Sequence, residues 1–297
     1  VLGFVLRYQY NAPCLFINEL RIMTDASKSL LGKDTDYSSR YSPELLFPLD
    51  RCQNRHALNI THALPFHGED VWTGYELSWL NSKGKPLVAV ADFHFPANSD
   101  FMVESKSFKL YLNSLNHEHY NSLDDVKALL EKDLTQAAGK PVLVVMRPAN
   151  QLIDMTKQSD EFSCVDELDI TGFEYQPNPS ILRFDALEYT SAKLCSHLLR
   201  SNCPVTGQPD WASLYIDYKG PKIDEASLLR YIVSFRECQD FHEHCVERIF
   251  SDLLQYCECE SLSVYARYTR RGGLDINPYR ATFDKSKVAP SIRTIRQ

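Results

Sequence analysis

The chemically sharpest feature of the chain is a cysteine in a stiff loop, Ser201-Asn-Cys-Pro-Val-Thr-Gly-Gln-Pro-Asp210. Pro204 and Pro209 restrict this loop and Gly207 turns it, so Cys203 is held rather than free to wander. A thiolate is a strong nucleophile, and the carboxylic acid of Asp210, seven positions on, can return a proton to a nitrogen that becomes basic during reaction. Spacing alone leaves a second reading open, a small buried hydrophobe beside a turn-forming aspartate, which is a common fate of cysteine.

Three further groups carry polar chemistry. His242-Glu243-His244-Cys245 resembles a metal motif at first sight, but residues two apart on a helix diverge, so the two imidazoles do not chelate one ion. The zinc-protease pattern needs histidines at i and i+4. With no other chelating spacing in view, no metal is expected. The Glu243 carboxylate suits two parallel N–H donors such as a guanine-like edge offers, with a solvated helix start as the alternative. Glu104-Ser105-Lys106 opens a helix whose free amides favour an anion, and Arg270-Arg271-Gly272-Gly273 sets cations beside bare backbone. Both fit a phosphate, and both fit an ordinary charged turn. His117, His119, Cys257 and Cys259 read as structural. No G-x-G-x-x-G and no Walker loop occurs, so the usual dinucleotide fingerprints are missing.

The elements that must position these groups form an internal repeat. In the first half, strands over Thr73–Asn81 and Leu87–Phe95 flank a Lys-Gly turn. A helix follows from Glu104, with Phe108, Tyr111, Leu112 and Leu115 on one face. A second helix is capped by Ser122, directs Val126, Leu129, Leu130 and Leu134 inward and stops at Gly139. A strand over Pro141–Met146 closes the unit. The second half repeats the order with strands Leu194–Leu199 and Trp211–Tyr218, helices Glu225–Phe235 and Phe241–Leu254, and a strand Ser261–Tyr268. Its first helix aligns Glu225 with Glu104, a period of 121 (225 − 104). The boundaries expected are an N-terminal tail over 1–40, a first module over 41–155, a linker over 156–180 with Gly172, Pro177 and Pro179, and a second module over 181–297. The fold class expected is α+β, with antiparallel sheets and paired helices on one face.

Composition sets the context. Of 297 residues, 44% are hydrophobic and 24% charged, which is ample for a globular core. The net charge of −7, with signs interleaved, argues against a broad nucleic-acid surface. Nine cysteines, an odd number, point to a reduced cytoplasmic setting rather than a disulfide framework. No apolar run approaches ~18 residues, so no membrane span is expected. Residues 1–22 lack signal-peptide features and read as an extension upstream of Met23, the expected natural start.

Together, Glu104-Ser-Lys-Ser-Phe-Lys-Leu-Tyr111, Ser201 to Asp210, Phe241-His-Glu243 and Tyr268-Thr-Arg-Arg-Gly-Gly273 resemble the signatures of the NADPH-dependent 7-cyano-7-deazaguanine (preQ0) reductases, in their long two-module form. The resemblance runs from about Met23 to the end. It implies tandem tunnelling-fold modules, which bind purine- or pterin-like rings where modules meet. It further implies Cys203 as nucleophile and Asp210 as proton donor. Val103, Glu104, Ser105, His242 and Glu243 would hold the base, and Ser105, Lys106, Arg271 and Gly272 would contact NADPH. The partner implied is the free base preQ0, handled by a cytoplasmic homodimer that makes no direct contact with nucleic acid. Competing readings are a zinc-dependent pterin or purine hydrolase of the same fold and a non-catalytic base-binding module.

Overall fold

A computed structural model of the chain describes residues 40–61, 63–151, 161–284 and 292–297. The expectations for Met23 and for the tail up to residue 39 lie outside the described residues. In order, the elements are β1 (Pro48–Asp50), α1 (Arg51–Ala57), β2 (His67–Leu80), β3 (Pro86–Pro96), β4 (Phe101–Val103), α2 (Ser105–Ser114), α3 (Leu123–Ala138) and β5 (Leu143–Pro148). There follow β6 (Ser163–Cys164), β7 (Phe184–Asn202), β8 (Pro209–Ile223), α4 (Glu225–Ser234), α5 (His242–Tyr256), β9 (Ser261–Tyr268) and β10 (Leu274–Ala281). Eight strands make one sheet in the order β5-β3-β2-β10-β9-β8-β7-β6, antiparallel except where β6 joins β7. The class is α+β. The helices cover one face over two cores, while a smaller cluster with Val71, Cys195, Tyr215, Tyr265 and Tyr279 lies on the other.

The repeat is visible in matching hydrogen bonds. In the first half Ser107 Oγ receives the Phe47 amide, Ser114 Oγ donates to the Tyr111 carbonyl, and Tyr111 Oη donates to Asp133. In the second, Ser227 Oγ receives the Arg183 amide, Ser234 Oγ donates to the Tyr231 carbonyl, and Tyr231 Oη donates to Asp252. These pairs correct the alignment by one residue. Asp224, not Glu225, is the counterpart of Glu104, because each is the N-cap whose carboxylate accepts amides of its helix's first turn, a period of 120 (224 − 104). Ser122 and Asp125 form a reciprocal capping box on α3, and Gly139 ends it at φ +76, a left-handed conformation that glycine adopts without strain. Of the inward positions expected on α3, Val126, Leu130 and Leu134 are buried and Leu129 packs at the core's edge.

The described part of the expected linker, 161–180, is not a free strap. It contributes β6 to the sheet, buries Val165, and lays Ile170 and Phe173 against the second core.

Where the halves join, buried charge replaces apolar packing. Glu247 of α5 receives Nε and Nη2 of Arg55 from α1, at 3.0 and 2.7 Å, and Nη2 of Arg280 from β10 at 2.8 Å. Arg280 also pairs with Asp70 of β2 at 2.8 Å, and Asp70 pairs with Arg51 at 2.5 Å. Burial opposes ionisation of Glu247, but Arg280 and Arg55 outweigh it and hold the carboxyl well below its ordinary range. A depressed carboxyl contributes stability that is fully present above the unfolded glutamate's pKa of about 4.3 and drains away as pH falls below it. Glu247→Gln leaves the buried Arg55 without its carboxylate and Arg280 with Asp70 alone, which Arg51 already shares. The expected loss, read by urea denaturation at neutral pH, is about 3–5 kcal/mol. A loss under about 1 kcal/mol would mean that the network does not brace the junction.

Candidate active site

The nucleophile loop is shaped by its own backbone. Where β7 passes into β8, the Cys203 amide donates to the Gln208 carbonyl at 2.9 Å and the Gly207 amide donates to the Cys203 carbonyl at 3.0 Å. Gly207 sits at φ +67 with nothing within 4 Å of a would-be Cβ, so its glycine is needed for conformation rather than for space. Asn202 then fastens this loop to the segment that leads into α5. Its amide donates to the Cys238 carbonyl at 2.7 Å, and its carbonyl accepts the Asp240 amide at 3.1 Å. The start of α5, which carries His242 and Glu243, is thereby fixed relative to Cys203.

These elements enclose a cleft of about 610 Å³, its open mouth included. Val103 and Ser105 reach it from the first half, and Cys203, Asp210, His242, Glu243 and Arg271 from the second. Residues predicted from positions 103 to 271 thus meet in one place. Cys203 is 6% exposed and Asp210 4%, shielded but on the cleft wall.

Asp210 faces two basic side chains. Arg271 Nη2 lies 2.9 Å from Oδ1, and His242 Nε2 lies 3.5 Å from Oδ2. His242 Nδ1 lies 3.2 Å from the Ile276 carbonyl, and a carbonyl only accepts, so Nδ1 carries a proton. Its other nitrogen, Nε2, is the one turned toward Asp210. The ring is locked flat against Tyr268, centroids 3.6 Å apart and planes at 5°. Glu243 is 3% exposed at the first turn of α5. Burial and the nearby Asp70 charge push its carboxyl up, against His242 and Arg51.

Three predicted residues lie beside the cleft rather than on its wall: Glu104, Lys106 and Gly272. Glu104 corrects the expectation of an open helix terminus. Its own carboxylate accepts the Lys106 amide at 2.6 Å and the Ser107 amide at 2.8 Å, so those two N–H groups are not free for an anion. Positive charge comes instead from side chains. Arg271 lines the cleft together with Lys109, a residue of the Glu104–Tyr111 motif for which the sequence suggested no role. Burial, followed by the charge of Arg271, pushes the Lys109 ammonium downward. Gly272 closes on Lys109, since a Cβ there would stand 3.2 Å from Nζ. Trp72, Met102 and Phe241 add apolar wall, also unforeseen. Trp72 and Met102 read in the sequence only as core residues, and Phe241 only as the start of a motif.

Known proteins resemble the chain over most of its length. Residues 37–146 match the family model described as "Nitrile reductase, 7-cyano-7-deazaguanine-reductase N-term", and 209–287 match the one described as "QueF-like protein". A protein of Dechloromonas aromatica named NADPH-dependent 7-cyano-7-deazaguanine reductase is 55% identical over 270 residues, 91% of this chain and 95% of its own length. Proteins of the same name from Colwellia psychrerythraea and Bordetella pertussis are 50% and 49% identical, covering 92% and 91% of this chain and 98% and 99% of their own.

Proposed function

Because the chain belongs to the NADPH-dependent 7-cyano-7-deazaguanine reductase family, we propose that its cleft captures the nitrile carbon of that base on Cys203 as a thioimide. The chain is an NADPH-dependent oxidoreductase that reduces the nitrile of preQ0 to the aminomethyl group of preQ1, a step of queuosine biosynthesis. The observation that carries the covalent reading is the convergence of Cys203, Asp210 and Glu243 on one cleft with aromatic walls.

A nitrile accepts hydride sluggishly, and thiolate addition turns its carbon into a better acceptor. Cys203 adds through sulfur, and the nitrogen takes a proton from the Asp210–His242 pair. Bound NADPH supplies one hydride to each of two reductions. Between them the C–S bond breaks and the sulfur leaves as thiolate, so Cys203 is regenerated before the amine forms. Overall one nitrile, two hydrides and two protons give one amine. Lys109 and Arg271 suit the anionic cofactor, since cations on a partly enclosed wall attract phosphate more strongly than they would in open water. Ser105 on the same wall, with Lys106 and Gly272 beside it, extends that polar surface.

Glu243, with Val103 and His242, binds the edge of the base, and Glu104 supports this wall by holding the α2 terminus rigid. The same reading assigns tandem tunnelling-fold modules over 41–155 and 181–297, and a cytoplasmic homodimer acting on the free base rather than on nucleic acid. The matching hydrogen bonds of α2 and α4 support the duplication. A zinc hydrolase finds less support, because among the described residues the cluster suited to a metal lies elsewhere, at Cys164, Cys195 and His197.

Mixing the protein with preQ0 in the absence of NADPH, followed by peptide mass mapping, tests capture directly. One base is expected on the Cys203 peptide, and an adduct on another cysteine instead would reject the assignment. Glu243 gives a second expectation. If its carboxylate binds the base, Glu243→Gln weakens binding by about 10- to 100-fold, the worth of a charged hydrogen bond. Affinity should also fall as pH drops through the raised Glu243 carboxyl, sooner than an ordinary glutamate would dictate. Calorimetric affinities that stay flat from neutral to mildly acid pH would rule out this role.

A further inference from the structure

A second group of reactive side chains lies far from the cleft, where β6 meets β7. In this parallel pair Cys164 is registered beside Cys195, so both side chains project from the same face. A bulge follows in β7. Ser196 pairs with Leu214 and Leu199 with Ala212, so His197 and Leu198 together face Ser213. The bulge aims the His197 ring back toward the cysteines, with Nδ1 2.8 Å from Ser213 Oγ. Both sulfurs and a ring nitrogen of His197 lie within 4.8 Å of one another. The frame is firmly tied. The Val165 amide donates to the Cys195 carbonyl at 3.0 Å, and Asp166 accepts from Ser196 Oγ at 2.6 Å and from the His197 amide at 2.8 Å.

We propose that Cys164, Cys195 and His197 bind a thiophilic divalent cation of the zinc class. Two sulfurs and an imidazole match zinc's preferred donors. At Zn–S distances of about 2.3 Å, ligands of a tetrahedral ion stand roughly 3.8 Å apart, so small side-chain rotations close the set. Cys164 is exposed, which leaves a fourth position for water. Binding displaces one proton from each thiol and takes the imidazole neutral, and nothing is oxidised. The ion clips the two-residue strand β6 to the edge of the sheet. Cys195 lies seven residues before the end of β7 at Asn202, the residue before Cys203 (202 − 195), roughly 20 Å at ~3.3 Å per residue with the bulge allowed for, so the ion has no part in reduction.

The test titrates the full chain, stripped with chelator and kept reduced, with Co²⁺ as a coloured stand-in for zinc. Thiolate-to-cobalt absorption should saturate at one equivalent and be bleached by added Zn²⁺. Cys164→Ser, a change at an exposed side chain, should weaken binding about 100-fold or more, while Cys52→Ser on α1 should bind as the unaltered chain does. Nitrile reduction by Cys164→Ser should match that of the unaltered chain. No thiolate band in the reduced chain, or a band undiminished in Cys164→Ser, overturns the proposal. A loss of reduction in a folded Cys164→Ser protein overturns the separation of this site from the cleft.

Discussion

Cys203→Ala is expected to stop preQ0-dependent NADPH oxidation, with kcat down by at least about 10⁴-fold, while the base still binds. The size of the effect follows from the chemistry. Without sulfur there is no covalent acceptor, and positioning of the two substrates is all that remains. The substitution removes one atom from a side chain whose backbone is fixed by the Gln208 and Gly207 contacts, so the loop survives it. Calorimetry should still detect the base, bound more weakly than by the unaltered chain because the C–S bond is lost, while the contacts of Glu243 and the aromatic walls are untouched. A variant that still oxidises NADPH in step with amine formation would refute the covalent route outright.

Asp210→Asn should separate capture from reduction. Asparagine keeps the shape of the side chain but cannot give up a proton. Removing a general acid costs about 10²- to 10⁴-fold in kcat. The adduct on Cys203 should still form, so mass mapping without NADPH sees the modified peptide while turnover is slow. The prediction has a structural complication that sharpens it. Asp210 also pairs with Arg271 at 2.9 Å, so the variant frees a guanidinium at the cofactor side of the cleft. Tighter NADPH binding together with slower turnover fits both roles. Failure to form any adduct would show that Asp210 is more than a proton donor, since sulfur would then be unable to add without its carboxylate.

What could be read from the sequence follows hydrophobic periodicity. The core helices and long strands were legible because Phe108, Tyr111, Val126, Leu130 and their counterparts mark one face with apolar residues. The elements that escaped notice are those whose buried faces are charged. Helix α1 buries Arg51 and Arg55, which sit at i and i+4 but carry no hydropathy signal. Strand β10 contains Pro278 and buries Asp275, Asn277 and Arg280, so it reads as loop. The start of β7 was missed for another reason, since an irregular register between Asp185 and Tyr189 breaks the alternation. The site was legible where residue type carries chemistry, as with Cys203, Asp210 and Glu243. Lys109 and the Glu104 cap were not, because a lysine on a helix and a glutamate at its start have ordinary solvated roles until packing encloses them.

The pairing of β10 with β2 over eight residues, Leu274–Ala281 against Gly74 to His67, makes one uninterrupted sheet out of both halves of the chain. A clamshell motion would have to unzip that seam and part the Arg280–Asp70 and Arg55–Glu247 ion pairs with it. The two reductions therefore run inside a fixed vessel. Cofactor exchange between them has to pass through the standing mouth of the cleft, and any gating belongs to side chains and the Cys203 loop rather than to a hinge.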